Sequence, residues 1–148
     1  MPAKALMIQG TASNVGKSLL CTALCRLFSR EGYAVAPFKA QNMALNSFST
    51  PAGAEIGRSQ AVQAEAAGVV PSVEMNPILL KPDARAGSQV IVMGRPVGLM
   101  RPECYDIFKG QASSVIEGAY HRLAASHDLI INEEIGRASC RERVYVLV

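Results

Sequence analysis

The residues best suited to chemistry stand together as Gly10-Thr11-Ala12-Ser13-Asn14-Val15-Gly16-Lys17-Ser18. A cradle for phosphate needs backbone N–H groups that converge on anionic oxygens, so it needs residues that bring little bulk and tolerate unusual dihedral angles. Gly10 and Gly16 meet that need, with Thr11, Asn14 and Val15 in the span between them. Lys17 offers an ammonium group to the outer phosphates and Ser18 a hydroxyl to a divalent cation, while the free N–H groups and dipole of a following helix favour the anion. Five residues, Thr11 to Val15, separate the glycines, where the strict phosphate-loop pattern has four. The loop is therefore a variant, and it predicts nucleotide binding without specifying a reaction.

Such a loop must be delivered by a strand and received by a helix. Lys4 to Gln9 is short and apolar and predicts a buried first strand. From Gly16 to about Glu31 the pattern is helical, with Leu20, Leu24, Leu27 and Phe28 recurring three and four apart on the expected core face and Gly32 as the stop. Tyr33 to Phe38 predicts a second strand, with Pro37 near its end. Strand, helix and strand in this order make a right-handed parallel unit, and phosphate sites lie at the carboxyl ends of its strands. The expected class is α/β, a P-loop NTPase-like parallel sheet flanked by helices. The polar stretch 39–51 follows the second strand directly and should be a loop facing the ligand crevice.

Beyond it, Glu55 to Ala67 predicts an alanine-rich helix closed by Gly68, with Arg58, Gln60, Gln63 and Glu65 as its polar face. Asn76 to Pro82 and Ser88 to Gly94 predict short strands. Pro102 to about Ser126 predicts a long helix with Ala112, Val115, Ile116, Ala119, Tyr120 and Leu123 on one face, and Asp128 to Ile131 a further buried strand.

Composition bounds the function. The 148 residues suit one domain, with 49% hydrophobic and 18% charged. No apolar run approaches the roughly 20 residues of a membrane span, and Gln9 and the glycine loop interrupt any leader, which predicts a cytoplasmic protein without a membrane partner. The net charge of +3 is scattered and aromatics make up only 5%. That suits a small anionic ligand and not nucleic acid, which calls for a basic stripe with stacking aromatics. Cys21, Cys25, Cys104 and Cys140 lack CxxC spacing and read as free thiols, two of them near a core face. His121 and His127 lack ligand-spaced partners and suit surface or helix-end positions.

The phosphate loop, then Pro37-Phe38-Lys39-Ala40-Gln41-Asn42-Met43, Glu55-Ile56-Gly57-Arg58, Gln63-Ala64-Glu65-Ala66, Met75-Asn76-Pro77, Leu80-Lys81-Pro82 and Gly87-Ser88-Gln89-Val90-Ile91 closely resemble the amino-terminal part of the cobyric acid synthase family. The resemblance runs from about Ala3 to Ile131. It also accounts for the five-residue spacing, which is similar to that of dethiobiotin synthetase.

The resemblance implies an ATP-dependent, glutamine-using amidotransferase that converts corrinoid side-chain carboxylates to amides in cobalamin biosynthesis. A carboxylate takes the γ-phosphoryl group, which makes its carbonyl attackable, and ammonia displaces phosphate; catalysis rests on positioning and on charge neutralisation by Mg²⁺ and Lys17. Carried over by position, Gly16, Lys17 and Ser18 bind triphosphate and metal, and Lys39, Gln41 and Asn42 face the ligand, with Lys17 and Lys39 as the catalytic pair. Glu55 is a candidate metal or substrate-side carboxylate, and Glu133 takes the place of the family's second metal-site glutamate.

The pattern then departs. The family follows that glutamate with glycine, alanine and glycine, whereas here Glu134 and Ile135 follow. The reading therefore divides the chain into an ATP-binding part, 1–131, and an atypical tail, 132–148, not native to the family. The reading expects this chain to lack the glutaminase domain that would supply ammonia and to be inactive alone. A dethiobiotin synthetase-like ligase and a partition-type P-loop ATPase are the alternatives. The blocks at Gln41-Asn42-Met43 and Gly87-Ser88-Gln89 argue against the first. Thr11-Ala12-Ser13, standing where the partition proteins carry an additional lysine, argues against the second.

Overall fold

The computed structural model describes residues 3–10, 14–83, 87–101 and 105–135. Its site-bearing layer is a three-stranded parallel sheet made by β1 (Lys4–Ile8), β2 (Val35–Phe38) and β9 (Leu129–Glu133), with β9 between the other two. Ile130 and Ile131 of β9 are completely buried, each stabilising the fold by roughly 1.5–3 kcal/mol relative to exposure. They point to opposite faces. Ile131 packs with Cys21 and Cys25 of α1 (Lys17–Arg30) and Ala67 of α2 (Arg58–Ala67). Ile130 packs with Ala119 and Leu123 of α3 (Tyr105–Ser126). A strand covered on both faces reads as a continuous apolar run, which is why Asp128 to Ile131 was legible as buried. The α/β class with a helix-flanked parallel sheet is as expected.

The remaining strands are β3 (Gln41–Met43), β4 (Ser47–Ser49), β5 (Glu55–Gly57), β6 (Ile78–Asp83), β7 (Gly87–Val92) and β8 (Arg95–Met100). A second, mixed sheet has the order β3-β6-β7-β8, with β3 parallel to β6 and the other pairs antiparallel. β4 and β5 form a separate antiparallel pair. Met93 and Gly94, at φ 46° and 75°, join β7 to β8. Two consecutive left-handed residues make a hairpin turn whose twist matches that of the strands.

Several expectations are corrected here. The stretch 39–51 is not a plain loop, since it contains β3 and β4. Glu55 opens a strand instead of a helix, and α2 begins only at Arg58. β8 was not anticipated, because Pro96 and Gly98 are poor strand formers. On α1 the buried face is Lys17, Cys21 and Cys25; of the expected stripe, Leu24 and Phe28 pack partly buried against that core, whereas Leu20 and Leu27 are 49% and 51% exposed. The small thiols let the helix lie close to the sheet, and a leucine stripe there would hold it off.

β1 is half exposed, with Leu6 37% accessible, because among the described residues it pairs on one side only. β9 runs to Glu133, two residues past the strand end expected at Ile131. No helix among the described residues is long and apolar enough to cross a membrane.

Candidate functional site

The phosphate loop leaves β1 at its carboxyl end. A Cβ on Gly10 would lie 2.8 Å from Val15 Cγ2 and 2.9 Å from Lys17 Cδ, so the first glycine is needed where the lysine stem crosses the backbone. Asn14 and Gly16 are left-handed, at φ 60° and 93°; asparagine and glycine enter that region most readily. Gly16 then caps α1 without a side-chain hydrogen bond, which leaves first-turn N–H groups for an anion. Lys17 is buried and Ser18 half-buried. Thr11, with Ala12 and Ser13, lies outside the described residues.

β9 brings a carboxylate to this helix end. Glu133 is only 4% exposed. Its Oε1 accepts from Ser18 Oγ at 2.7 Å and pairs with Lys39 Nζ at 2.6 Å, while Oε2 accepts from Gln63 Nε2 at 2.7 Å. Lys39, at the end of β2, is itself buried. A hydroxyl and a carboxylate side by side are hard oxygen donors of the kind that hold Mg²⁺ together with water and substrate phosphates. The ammonium already paired with Oε1 marks the spot as one that accepts positive charge. Among the described residues no three His, Cys, Asp or Glu side chains gather to make an all-protein cage; the hydroxyl of Ser18 and the carboxylate of Glu133 are donors that fit magnesium shared with phosphate.

Ser18, Lys39 and Glu133 are thus brought together, with Lys17 and Gly10 on the same loop and helix end. Asn42 is buried and donates to Gln60 Oε1 at 2.8 Å and Ser59 Oγ at 3.3 Å; it reaches Glu133 only through intervening amides. Gln41 is half-buried on β3, opposite Ile78. Glu55 takes its polar partners, Ser47 and Lys81, outside the Glu133 cluster. Partial burial pushes its carboxyl up, but the hydrogen bonds from Lys81 and Ser47 and the Lys81 charge outweigh this and leave it below its ordinary value.

The expected polar face of α2 is half wrong, since Gln60 and Gln63 are completely buried. Their spacing of three puts them on one helix face but does not mark that face as buried, since the partner of Gln63 is the distant Glu133.

Three further features border the site. Gly10 N donates to Glu134 Oε2 at 3.0 Å, and Glu134 N donates to Ile8 O at 3.1 Å, so a carboxylate sits against the first amide of the phosphate loop. Cys21 and Cys25 are free and buried. Burial, then the charge of Glu133, pushes the Cys21 thiol up to about 12 against the pull of Lys39 and Lys17, and burial with Cys21 does the same to Cys25. An open groove of about 390 Å³ starts at Ser18 and is lined by Leu19, Asn46, Arg58, Ser59 and Val62 among others.

The sequence as a whole is similar to those of known proteins. The chain is 61% identical over 135 residues to a cobyric acid synthase of Moorella thermoacetica, covering 90% of this chain and 26% of that protein. It is 56% identical over 136 residues to the cobyric acid synthase of Sorangium cellulosum, covering 92% of this chain and 26% of that protein. The corresponding protein of Pelotomaculum thermopropionicum is 57% identical over 135 residues, 90% of this chain and 26% of that protein. The chain therefore spans about a quarter of the length of the curated relatives it matches. The model of the CobQ/CobB/MinD/ParA nucleotide binding domain matches residues 6–139, which takes in the phosphate loop, Lys39 and Glu133. By that match the chain belongs to the CobQ/CobB/MinD/ParA nucleotide binding domain family.

Proposed function

We propose that this chain is the ATP-binding portion of a cobyric acid synthase, an enzyme that uses ATP and glutamine-derived ammonia to amidate corrinoid side-chain carboxylates, from cobyrinic acid a,c-diamide to cobyric acid. The observation that carries the reading is the meeting of Ser18, Lys39 and Glu133 at the end of the phosphate-loop helix, with Ser18 Oγ 2.7 Å and Lys39 Nζ 2.6 Å from Glu133 Oε1. The names of the relatives give cobyric acid as the product they make, and the corrinoid diamide as substrate is what the family resemblance implies.

In this reading the loop amides and Lys17 grip the triphosphate of ATP, and Ser18 and Glu133 hold Mg²⁺. The cation, when bound, neutralises charge on the outer phosphates. Lys39 stands beside the same carboxylate and is placed to meet negative charge as a phosphoryl group leaves ATP for the substrate carboxylate. Leu19 and Val62 make the groove apolar where Arg58 makes it cationic, a pairing suited to a large apolar ring that carries carboxylates. Glu55, tied to Lys81 and Ser47, is assigned no metal here; Ser18 and Glu133 take that role.

The test is binding by the chain itself. A fluorescent ATP analogue should saturate it, more tightly with Mg²⁺ than without. Lys17→Ala should weaken binding about 10- to 100-fold, as loss of charge-assisted phosphate contacts implies. Cobyrinic acid a,c-diamide should bind where diaminopelargonate does not. Retention of full affinity by the lysine variant would refute the nucleotide site, and a preference for diaminopelargonate would point to a dethiobiotin synthetase-like ligase.

A further inference from the structure

Gln60 and Gln63 are completely buried, and neither the phosphate cradle nor the open groove accounts for them. Leucine would fill a similar volume between α1 and α2 with no polar atom to satisfy. Each glutamine instead has a defined place in a chain of donors. Glu133 can only accept, so its Oε2 faces the NH₂ end of Gln63 at 2.7 Å. That turns Gln63 Oε1 the other way, where Gln60 Nε2 meets it at 3.5 Å. Gln60 Oε1 in turn accepts from Asn42 Nδ2 at 2.8 Å. The three amides run head to tail and every donor points toward the carboxylate, an order in which each bond polarises the next.

The backbone is adapted to the same array. A Cβ on Gly57 would lie 2.4 Å from Asn42 Nδ2, 2.7 Å from Gln60 Oε1 and 3.1 Å from Asn76 Oδ1, so only glycine leaves room for the amides to converge. Asn76 adds a tie to the other side of the cluster, accepting from Gly57 N at 2.9 Å and donating to Lys39 O at 3.0 Å. Gln63 Nε2 also lies 3.4 Å from Ser18 O, which places one amide against both residues assigned to the metal.

We propose that Gln63 is a positioning residue for divalent-cation binding: it holds Glu133 Oε2 so that Oε1 stays turned toward Ser18, and Gln60 and Asn42 fix the orientation of Gln63. This rests on the reading of Ser18 and Glu133 as the metal ligands. Because Asn42 also meets Ser59 at the groove, the same chain of amides ties groove side chains to the metal carboxylate.

The test compares the parent chain with Gln63→Met, which keeps the volume and removes the donor. Partners that orient a metal ligand are commonly worth about 10- to 100-fold in metal affinity. The Mg²⁺ concentration that half-saturates binding of a fluorescent ATP analogue should therefore rise about 10-fold or more. Metal-free affinity for the analogue should change by less than about twofold, because Gln63 meets the cradle only at the carbonyl oxygen of Ser18, an acceptor that makes no hydrogen bond to phosphate. Gln60→Met, one amide further away, should shift the magnesium requirement in the same direction by less, and it carries the test if Gln63→Met does not fold. A variant that melts cooperatively and needs Mg²⁺ within about twofold of the parent, where the parent is Mg²⁺-dependent, overturns the inference alone. Nucleotide binding by the parent that ignores Mg²⁺ overturns the metal reading and the inference with it.

Discussion

Lys39 Nζ lies 2.6 Å from Glu133 Oε1, with both side chains almost wholly out of water. Removing one partner from such a pair leaves a charge with neither solvent nor counterion, and the loss is typically about 3–5 kcal/mol. Lys39→Met should fall at the lower end of that range, since Ser18 and Gln63 still donate to Glu133. Urea unfolding without ligand should register the loss, and Mg²⁺ with ATP should recover part of it by supplying a cation to the same carboxylate. Equal stability of the variant and the parent would mean that the pair is not holding the end of β2 to β9.

A second expectation concerns Glu134. Its carboxylate occupies the amide of Gly10 at 3.0 Å, where a phosphate oxygen would compete for the same donor. Glu134→Gly should tighten binding of metal-free ATP analogue by about 10-fold, the scale of one hydrogen bond to a charged group. Calorimetric titration of both proteins would measure it, and unchanged affinity would show that the carboxylate does not obstruct the cradle.

The thiols predict an alkaline limit to stability. Cys21 and Cys25 titrate near 12 in the folded chain against an ordinary value of 9.0. Between those values the unfolded chain has lost protons that the folded chain keeps, so the unfolded state gains as pH rises. The thiols' contribution is complete below pH 9 and is lost as pH climbs from 9 toward 12. Replacing both cysteines with alanine should flatten that part of the stability profile, and in the parent both thiols should resist a disulfide reagent at pH 8 until the protein is unfolded.

Gly57→Ala tests the packing of the amides. The added methyl would press on Asn42, Gln60 and Asn76 together, and overpacking of a filled interior costs about 1–3 kcal/mol. Thermal melting should show the loss, whereas Gly53→Ala, whose Cβ would meet nothing within 4 Å, would suffer only from its positive φ of 76°.

The parts of this molecule that were legible in its sequence are those fixed locally. Gly10, Gly16, Lys17 and Ser18 declare themselves because a phosphate cradle dictates residue type and spacing, and β1, α1 and β2 follow from it. Glu133 was placed through the resemblance, not through any pattern of its own. Gln60 and Gln63 were misplaced on a solvent face, because a buried amide and an exposed one look alike until the partner, here a carboxylate 70 residues away in sequence for Gln63, is in position. The second sheet was also illegible in part: Pro96 and Gly98 hide β8, whose place is set by pairing with β7. The exposed leucines of α1 misled in the opposite direction, since helical periodicity reports a stripe without saying whether the sheet is better met by small thiols.

The order of strands in the parallel sheet has a further consequence. β1 and β2 are each bonded to β9, Lys4 facing Leu129 and Val35 facing the same residue. Among the described residues, the first two strands find their neighbour in that sheet only in a segment about a hundred residues downstream, and closing so large a loop is slow. Until then the apolar edges of both lie open to other chains. The Ser18–Glu133 contact forms only when β9 docks, so the meeting of this hydroxyl and carboxylate should emerge together with the parallel sheet and not before.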